Sequence, residues 1–444
     1  MNTSQEPIII IGAGVAGLTA ARELKKMGKR VLVLEARDRL GGRIFSQEIK
    51  HECYDLGASW IHGIENNPIW NIVQHNQIQT TVFNYDQSIY YQGKQQPFNS
   101  EEKLIFETSL DYLLNRFKEI DPHEHYPHAL AALQLWMNEE EFLLYINTQF
   151  DLDEQAVIKL KKMLFDFFNL LAEDPCASDL AHLSAEFWKN EGYYPGDEVI
   201  FPQGYIQVIE FLSRNITVLT NKVVQQIDYT QDTIQIFTEN AECFCASQVI
   251  VTVPLGVLKK QRLQFFPDLS QEKKQVINHL GFGTFNKLFV SFDQNFWKSA
   301  QYDQSKNIYI HNQHGWLNFL DVSELYHQPT LLFLFGGASA TWLEDTSCEE
   351  VWHNIKVSLA LIFDEIPQPI QIFKTEWGKD QFSEGSFSYH SVGQTSDQIE
   401  ILKQPIQNKV FFAGEHLASF GAGTVHGAYH SGLEVSEAIQ KYTK

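Results

Sequence analysis

Residues 8–17 read Ile-Ile-Ile-Ile-Gly-Ala-Gly-Val-Ala-Gly, an apolar run followed by three closely spaced glycines. The four β-branched residues predict a strand that is buried on both faces, as in a parallel sheet. The glycines have the spacing of a phosphate-binding turn, in which Gly12 allows the tight turn and Gly14 lets the backbone approach a pyrophosphate. Gly17 lets a helix pack on the strand. The stretch therefore predicts a strand, a phosphate loop and a helix in that order.

The residues that follow complete a dinucleotide-binding unit. Residues 18–27 predict a helix with an apolar face, Gly28 ends it, and residues 31–34 predict a second strand. Glu35 closes that strand about 20 residues beyond the glycines, where a carboxylate can accept hydrogen bonds from a ribose. FAD and NAD share this unit, so it leaves the two cofactors open.

The segment at residues 35–43, EARDRLGGR, separates the two cofactors. Its second glycine pair allows another close pass by a pyrophosphate, and Arg43 can form charge-assisted hydrogen bonds with phosphates. An NAD site does not need this pair, so the segment favours FAD. It closely resembles the flavin-binding signature of the flavin amine oxidase superfamily, in which the glutamate holds the adenosine ribose and the arginine lies beside the pyrophosphate.

The resemblance to this superfamily extends over nearly the whole chain. Its further blocks are DLGASWIHG (55–63), VIVTVPLGVL (249–258), GFGTFNK (281–287) and VFFAGEH (410–416) with TVHGA (424–428). The resemblance implies an α/β fold, in which a Rossmann-like FAD-binding domain is interleaved with an α+β substrate domain. It also implies an FAD-dependent enzyme that oxidises a carbon–nitrogen bond and reduces O2 to hydrogen peroxide.

The predicted FAD contacts combine the glycine turns, the ribose and phosphate residues, and the blocks that the superfamily places around the flavin. They are Gly12, Gly14, Ala16, Gly17, Glu35, Ala36, Arg37, Gly42, Arg43, Gly57, Ala58, Ser59, Trp60, Val223, Trp377, Gly414, Glu415, Thr424 and Val425. Glu415 follows a predicted strand at 410–413 and could take a ribityl or ribose hydroxyl; a surface acid in a loop is the alternative. A helix predicted from Val425 could stabilise negative charge on a reduced flavin.

The composition of the segments agrees with two interleaved domains. Short apolar strands and glycine turns dominate residues 1–85, 196–277 and 396–444, which we predict to form the FAD-binding domain. Residues 86–195 and 278–395 are predicted to form the substrate-binding domain, because long amphipathic helices in the first suit a cap and the second mixes strands with a helix. The sequence contains no long helical-hairpin insertion of the kind found in histone demethylases of this superfamily.

Lys287 is the first candidate catalytic residue. It lies in an apolar strand predicted over residues 287–292, where a buried lysine is costly unless it is paired or functional. The resemblance implies that this lysine holds a water next to the reactive nitrogen of the flavin. The alternative is an ordinary surface lysine that points outward from an edge strand.

His62 is the second candidate, and it lies in a segment that separates subfamilies. The segment ASWIHG (58–63) resembles the polyamine oxidases, which cleave spermine, spermidine or their acetyl derivatives. In those enzymes this histidine contacts the substrate, whereas monoamine oxidases differ here. A histidine of the core or of a loop is the alternative.

The segment at residues 375–389 resembles the aromatic stretch that faces the flavin. Monoamine oxidases carry a cysteine bound covalently to the flavin where this chain has Ser386, so we predict non-covalent FAD. The second aromatic of their cage is here Thr424, which leaves Phe387 as a single wall and suits an extended polyamine. Phe387, Tyr389 and Thr424 are predicted to contact substrate, although the first two could simply be alternate residues of a strand.

A polyamine carries several positive charges and needs carboxylates along its channel. Glu173 is the predicted contact, within the segment 172–175 where the superfamily places substrate contacts from the cap. Asp179 belongs to the same region, and Glu191 and residues 197–198 are further candidates. A solvated acidic loop is the alternative.

The composition limits the partners and the location. Lys plus Arg total 34 against 55 Asp plus Glu, and the net charge of −21 disfavours nucleic acid and attracts a small cationic substrate. Solubility alone is the alternative explanation of this charge. Five scattered cysteines without a CxxC pair, no evident signal peptide and no apolar run of about 18 residues favour a soluble, cytoplasmic protein without membrane contact. No metal site is predicted.

Other functions remain open at this point. A monoamine, an amino acid or a lysine side chain is an alternative substrate, although an amino-acid oxidase would need an arginine clamp that the sequence does not place. A flavin-dependent desaturase or isomerase would share the FAD motifs without needing Lys287 or His62. A non-catalytic, FAD-stabilised scaffold is the last alternative.

Overall fold

The fold is taken from a computed structural model, which describes residues 6–83, 88–93, 96–121, 125–187, 192–298 and 306–442. In these ranges the strands are β1 (Ile8–Ile11), β2 (Val31–Leu34), β3 (Ser46–Ile49), β4 (Glu52–Asp55), β5 (Trp60–Ile61), β6 (Thr81–Val82), β7 (Ile89–Gln92), β8 (Val199–Ile200), β9 (Val218–Leu219), β10 (Val224–Asp228), β11 (Ile234–Thr238), β12 (Cys243–Ala246), β13 (Gln248–Val251), β14 (Gln264–Phe266), β15 (Gly281–Gly283), β16 (Phe285–Ser291), β17 (Asn307–Asn312), β18 (Gly315–Asp321), β19 (Thr330–Gly336), β20 (Gln371–Lys374), β21 (Phe387–Tyr389) and β22 (Val410–Phe412). The α-helices are α1 (Val15–Lys26), α2 (Pro68–His75), α3 (Ser100–Lys118), α4 (Ala129–Trp136), α5 (Glu140–Gln149), α6 (Glu154–Cys176), α7 (Ile206–Ser213), α8 (Leu255–Lys259), α9 (Gln271–His279), α10 (Gly337–Asp345), α11 (Cys348–Leu359), α12 (Ser396–Lys403) and α13 (Val425–Tyr442).

The strand of the opening stretch lies at the centre of a five-stranded parallel sheet with the order β22-β13-β1-β2-β9. Ile8 and Ile10 pack with α1 and α13 on one face of this sheet. Ile9 and Ile11 pack on the other face with the four-stranded sheet β12-β11-β10-β14. The prediction of a strand buried on both faces is confirmed, and its position explains the unbroken apolar run.

Helix α1 packs closely against the turn that follows β1, and this close packing requires two of the three glycines. Gly12 has a φ of +108°, a left-handed conformation that favours glycine. A Cβ atom on Gly17 would lie 2.1 Å from the carbonyl oxygen of Gly12. Because the turn is this tight, α1 begins at Val15, three residues before the predicted start at residue 18.

A six-stranded mixed sheet with the order β20-β16-β19-β18-β17-β7 forms a second layer. Helices α3 to α6 pack together in an aromatic-rich core, which Tyr309 of β17 and Trp316 of β18 join from the sheet. The long helices predicted in residues 86–195 therefore pack on this sheet. Strand β16 lies between β19 and β20, in the interior of the sheet.

The sheets follow the two sequence-predicted domains. Every strand of the parallel sheet comes from residues 1–85, 196–277 or 396–444, and every strand of the six-stranded sheet comes from 86–195 or 278–395. The α/β fold with two interleaved units is confirmed. We propose these ranges as the two domains; the boundary between residues 85 and 86 lies outside the described residues. None of the helices in the described ranges is long and apolar enough to cross a membrane.

Candidate active site

A cavity of about 720 Å³ runs from the turn between β1 and α1 to strands β16 and β21. Every residue of the predicted FAD set lines it, as do the candidates Lys287, His62 and Phe387. The cavity thus collects segments from both predicted domains. Glu173 and Tyr389 do not line it.

Helix α1 directs its N-terminus into this cavity. Gly14 precedes the helix without a side-chain cap, and the first turn contains no acidic residue. The free N–H groups and the partial positive charge of the helix end are therefore available to a ligand. Gly14 pairs with Gly41, and Gly42 follows with a φ of +59°. These two glycine turns form a cradle suited to an anionic pyrophosphate.

Glu35 is buried at the C-terminal end of β2, and backbone groups fix its carboxylate. Its Oε2 atom accepts from the backbone N–H of Ala13 at 2.7 Å, and its Oε1 atom accepts from that of Arg37 at 2.9 Å. The carboxylate retains further lone pairs, since each oxygen can accept more than one hydrogen bond. It can therefore accept hydroxyl groups of a ribose in the adjoining cavity.

Glu415 forms hydrogen bonds with three separate parts of the cavity wall. Its Oε1 atom accepts from the Arg43 guanidinium at 2.7 Å. Its Oε2 atom accepts from the Ser388 hydroxyl at 2.5 Å and from the N–H of Gly423 at 2.9 Å. Burial opposes ionisation, yet Arg43, His416 and Ser388 together hold the pKa of Glu415 below its ordinary value. Glu415 is 4% exposed, so the alternative of a surface acid is excluded.

Lys287 is buried in β16, with 4% of its surface exposed. Its ammonium donates to the carbonyl oxygens of Asp55 at 2.9 Å and Gly57 at 2.7 Å and to the hydroxyl oxygen of Ser59. It also lies 5.3 Å from the ring centroid of Trp60. Burial lowers the pKa of Lys287, and the nearby Asp55 opposes this effect. The alternative of a surface lysine on an edge strand is excluded.

Two electropositive groups of the wall are also available to a ligand. The indole Nε1 of Trp60 is buried and has no hydrogen-bond partner among the described residues. Helix α13 begins at Val425 in the cavity wall. The Thr424 hydroxyl accepts from the N–H of Gly427 at 2.9 Å and donates to the carbonyl of Gly421 at 2.6 Å. A buried orphan donor and a helix N-terminus suit an electron-rich ring.

His62, Asp174 and Glu198 form an acidic cluster in the cavity wall. The Nδ1 atom of His62 lies 3.2 Å from the Oε1 atom of Glu198. Asp174, near the C-terminal end of α6, lines the same cavity. Burial raises the pKa of Asp174 to about 6; His62 opposes this rise and Glu198 reinforces it. The sequence predicted Asp174 and Glu198 only as members of acidic segments, and neither was singled out as a substrate contact.

The remaining sequence-predicted substrate residues lie elsewhere. Glu173 accepts a hydrogen bond from the Ser339 hydroxyl at 2.6 Å, outside the cavity lining. The ring of Tyr389 lies against Gly281 of the neighbouring strand β15, a position that has no side chain. Asp179 and Asp197 do not line the cavity, and Glu191 lies outside the described residues.

Among the cavity residues that could not be predicted from the sequence, three come from the substrate side of the wall. Leu171, Tyr309 and Leu334 line the wall. They are ordinary apolar or aromatic residues of a helix and two strands, so their sequence pattern does not distinguish them from core residues.

The cavity fits FAD. The uncapped helix and the glycine cradle suit the pyrophosphate, Glu35 suits the ribose, and the orphan indole N–H of Trp60 suits the flavin. A parallel dinucleotide-binding sheet with this site defines an FAD-dependent oxidoreductase.

The chain belongs to the flavin containing amine oxidoreductase family, whose model matches residues 15–440. The sequence-based predictions of the family, of an enzyme and of FAD as its cofactor are therefore confirmed.

Individual relatives are similar at comparable levels. Polyamine oxidase 2 of Arabidopsis thaliana is 29% identical, over 98% of this chain and 88% of that protein. Lysine-specific histone demethylase 1 homolog 1 of Oryza sativa subsp. japonica is 31% identical, over 97% of this chain and 52% of that protein. Lysine-specific histone demethylase 2 of Homo sapiens is 29% identical, over 98% of this chain and 53% of that protein. These identities establish the family without choosing between the substrates that the names suggest.

Proposed function

We propose that the protein oxidises a polyamine, such as spermine, spermidine or an acetylated derivative, at a carbon–nitrogen bond, with O2 reduced to hydrogen peroxide. The bound flavin supplies the acceptor for a hydride from the carbon beside the amine. In this proposal Lys287 is the catalytic group at the cavity wall. The acidic cluster, which includes His62, holds the substrate.

The acidic cluster is the observation that carries the proposal. A polyamine has ammonium groups beyond the one that reacts, and each needs a counter-charge when it leaves water. Asp174 and Glu198 provide two carboxylates beside His62 in the same cavity as Lys287. The net charge of −21 adds a field that attracts polycations. A hydrophobic monoamine would bring no second positive charge to these carboxylates.

The arginines of the cavity do not favour an amino acid as substrate. Among the described residues, the lining arginines are Arg37, Arg43 and Arg262. Each is already paired with a carboxylate, which belongs to Asp380, Glu415 and Glu384, respectively. A free clamp for a substrate carboxylate is therefore not provided by these residues.

The identity of the amine can be tested by anaerobic reduction of the holoenzyme. We expect spermine, spermidine or N-acetylspermine to bleach the flavin absorbance rapidly. Benzylamine, an L-amino acid and a methyl-lysine histone-tail peptide are the comparison substrates, the last because histone demethylases are among the relatives. If the peptide bleached the flavin faster than every polyamine, the substrate would be a protein lysine rather than a polyamine. A lack of bleaching with every amine would refute the oxidase.

We expect Glu198→Gln and Asp174→Asn each to weaken spermine binding about tenfold or more, since a hydrogen bond to a charged group contributes about 1.5–3 kcal/mol. A monoamine should be affected much less, and this contrast is measured by the ratio of the two apparent Kd values, each taken from the dependence of the anaerobic flavin reduction rate on amine concentration. Glu173→Gln is the matched control, because Glu173 neighbours Asp174 but turns to Ser339 outside the cavity. Equal losses for spermine and monoamine would assign the carboxylates a structural role.

The pKa of Asp174, raised to about 6, gives a related pH dependence. Below this pH the carboxyl is protonated and loses its attraction for an ammonium. Affinity for spermine should therefore fall as the pH drops through about 6 in the wild type. In Asp174→Asn this fall should be reduced.

We propose that the FAD is held without a covalent bond. The Ser386 hydroxyl already bridges the backbone of Phe285, donating to its carbonyl at 2.9 Å and accepting from its N–H at 2.8 Å. No cysteine lines the cavity within the described residues. Acid precipitation of the holoenzyme should leave all of the FAD in the supernatant, measured by absorbance and fluorescence. A yellow pellet would disprove this prediction.

A further inference from the structure

The ammonium of Lys287 directs all three of its N–H groups into one short segment, residues 55–59. The acceptors are the carbonyl oxygens of Asp55 and Gly57 and the hydroxyl oxygen of Ser59. A protonated lysine has three donors and no acceptor, so this set satisfies it completely. The segment therefore forms a three-oxygen cradle for the charge.

Backbone contacts hold this cradle rigidly. The N–H of Leu56 donates to the carbonyl of Phe45 at 2.7 Å, and that of Ala58 donates to the carbonyl of Arg43 at 3.1 Å. A Cβ atom on Gly57 would lie 1.9 Å from the Arg43 carbonyl oxygen, so the two segments are in direct contact. The segment that contains Arg43, the arginine of the phosphate site, thus also fixes the position of the two carbonyl acceptors.

Ser59 differs from the other two acceptors because its oxygen belongs to a side chain. The residue lines the cavity. Its hydroxyl lies 3.3 Å from the carbonyl oxygens of both Asp55 and Gly57, so it closes the cradle against them. It is the single acceptor of the set that a substitution can remove without altering the backbone.

The electrostatic surroundings of Lys287 are simple. Asp55 is the titratable group whose charge acts on the lysine, and its own carboxylate accepts from the N–H of Tyr205 at 3.0 Å and from the Ser46 hydroxyl. Tyr205 and Tyr326 face Asp55, and burial raises the pKa of both phenols well above 10, so they are neutral. The neighbouring ring of Trp60 adds a π face without a titratable group.

We propose that Ser59 is a positioning residue, whose hydroxyl oxygen completes the cradle that keeps the Lys287 ammonium charged and fixed at the cavity wall. This role goes beyond contact with FAD, and its kinetic consequence rests on the proposed function of Lys287. Removal of the oxygen leaves one N–H of a buried cation without an acceptor, which disfavours the charged form.

The test compares Ser59→Ala with Ser59→Thr, which keeps the hydroxyl, each in the wild-type and the Lys287→Met background. We expect Ser59→Ala to move the Lys287-dependent pKa in the pH profile of anaerobic flavin reduction downward by about one unit. Ser59→Thr should restore the wild-type profile. In the Lys287→Met background, Ser59→Ala should cause no shift. A shift that persists without Lys287 would overturn the proposal.

Thermal unfolding against pH gives a second readout that needs no substrate. Ser59 raises the folded-state pKa of Lys287 relative to the alanine variant, so its stabilisation is greatest at low pH and declines as the pH rises through that pKa. Burial lowers the folded-state pKa of Lys287 to about 8, so the loss of Tm in Ser59→Ala should be largest below pH 7 and should shrink as the pH rises to about 9. A loss independent of pH would mean a merely structural role.

The pH profile of flavin reduction and the unfolding series test the proposed function and the role of Ser59 separately. If no amine reduces the flavin, the proposed function fails and the unfolding series still decides the role of Ser59. If Ser59→Ala does not retain FAD, Ser59→Cys takes its place, because a thiol is a weak acceptor of similar shape.

Discussion

We expect Lys287→Met to slow both flavin half-reactions by about 10²- to 10³-fold, the range for removal of one preorganised electrostatic group beside a reacting centre. Methionine fills the volume of the lysine stem in the interior strand β16, but it offers no donor to the cradle of residues 55–59. FAD should remain bound, because the phosphate and ribose contacts do not involve Lys287. Stopped-flow absorbance of anaerobic reduction and of reoxidation by O2 measures the two steps.

Lys273→Met is a matched control for this variant. Lys273 is also buried and also donates to three oxygens, the backbone carbonyls of Ile401, Leu402 and Gln404, but it does not line the cavity. Loss of this lysine should lower the Tm and leave the rate per bound flavin unchanged. Wild-type rates in Lys287→Met would remove the catalytic role.

The second large effect is expected from Glu415→Gln. This change leaves the partly buried Arg43 without its counter-charge, and breaking a buried ion pair in this way costs about 3–5 kcal/mol. The free energy of unfolding should fall by that amount, and the FAD-to-protein ratio after gel filtration should drop. Glu139→Gln, which breaks the more exposed pair with Arg116, should cost at most about 1 kcal/mol.

The sign of the pH dependence provides an additional test for Glu415. Its pKa is lower in the folded state than the ordinary value of 4.5. Its stabilising contribution is therefore present above about pH 4.5 and is lost as the pH falls through the folded-state pKa. The stability difference between the wild type and Glu415→Gln should shrink on acidification. Retention of FAD together with an unchanged Tm at pH 7 would disprove the assignment.

The phosphate site was predictable because its chemistry is local. The three glycines, the β-branched strand and Glu35 lie within 28 residues of one another, from Ile8 to Glu35, and Gly12, Gly17 and Glu35 each serve a local backbone conformation or contact. The same holds for the uncapped start of α1. The family resemblance then added the distant blocks, all of which reach the cavity.

The substrate wall was less predictable because it depends on how the cap helices pack. The sequence placed the substrate carboxylate at Glu173, whereas Asp174 lines the cavity. Neighbouring residues of a helix point about 100° apart, so a shift of one residue changes which side chain faces inward. Helix α6 also continues through Pro175 to Cys176, although proline is unfavourable inside a helix, and its last turn carries Asp174 to the wall. The direction in which the Asp174 side chain points is therefore set by tertiary packing rather than by local sequence.

The contacts of Glu415 also order the assembly of the holoprotein in time. The phosphate loop is synthesised first, but its Arg43 is neutralised by a residue that lies 372 positions later in the chain. Strand β1 likewise lies between β2 and β13, and β22 must join the outer side of β13 before Glu415 can reach the cavity. A growing chain on the ribosome therefore cannot form the Arg43–Glu415 pair until residue 415 has emerged. The part of the wall that joins Arg43, Ser388 and Gly423 through Glu415 is consequently among the last parts of the site that the growing chain can complete.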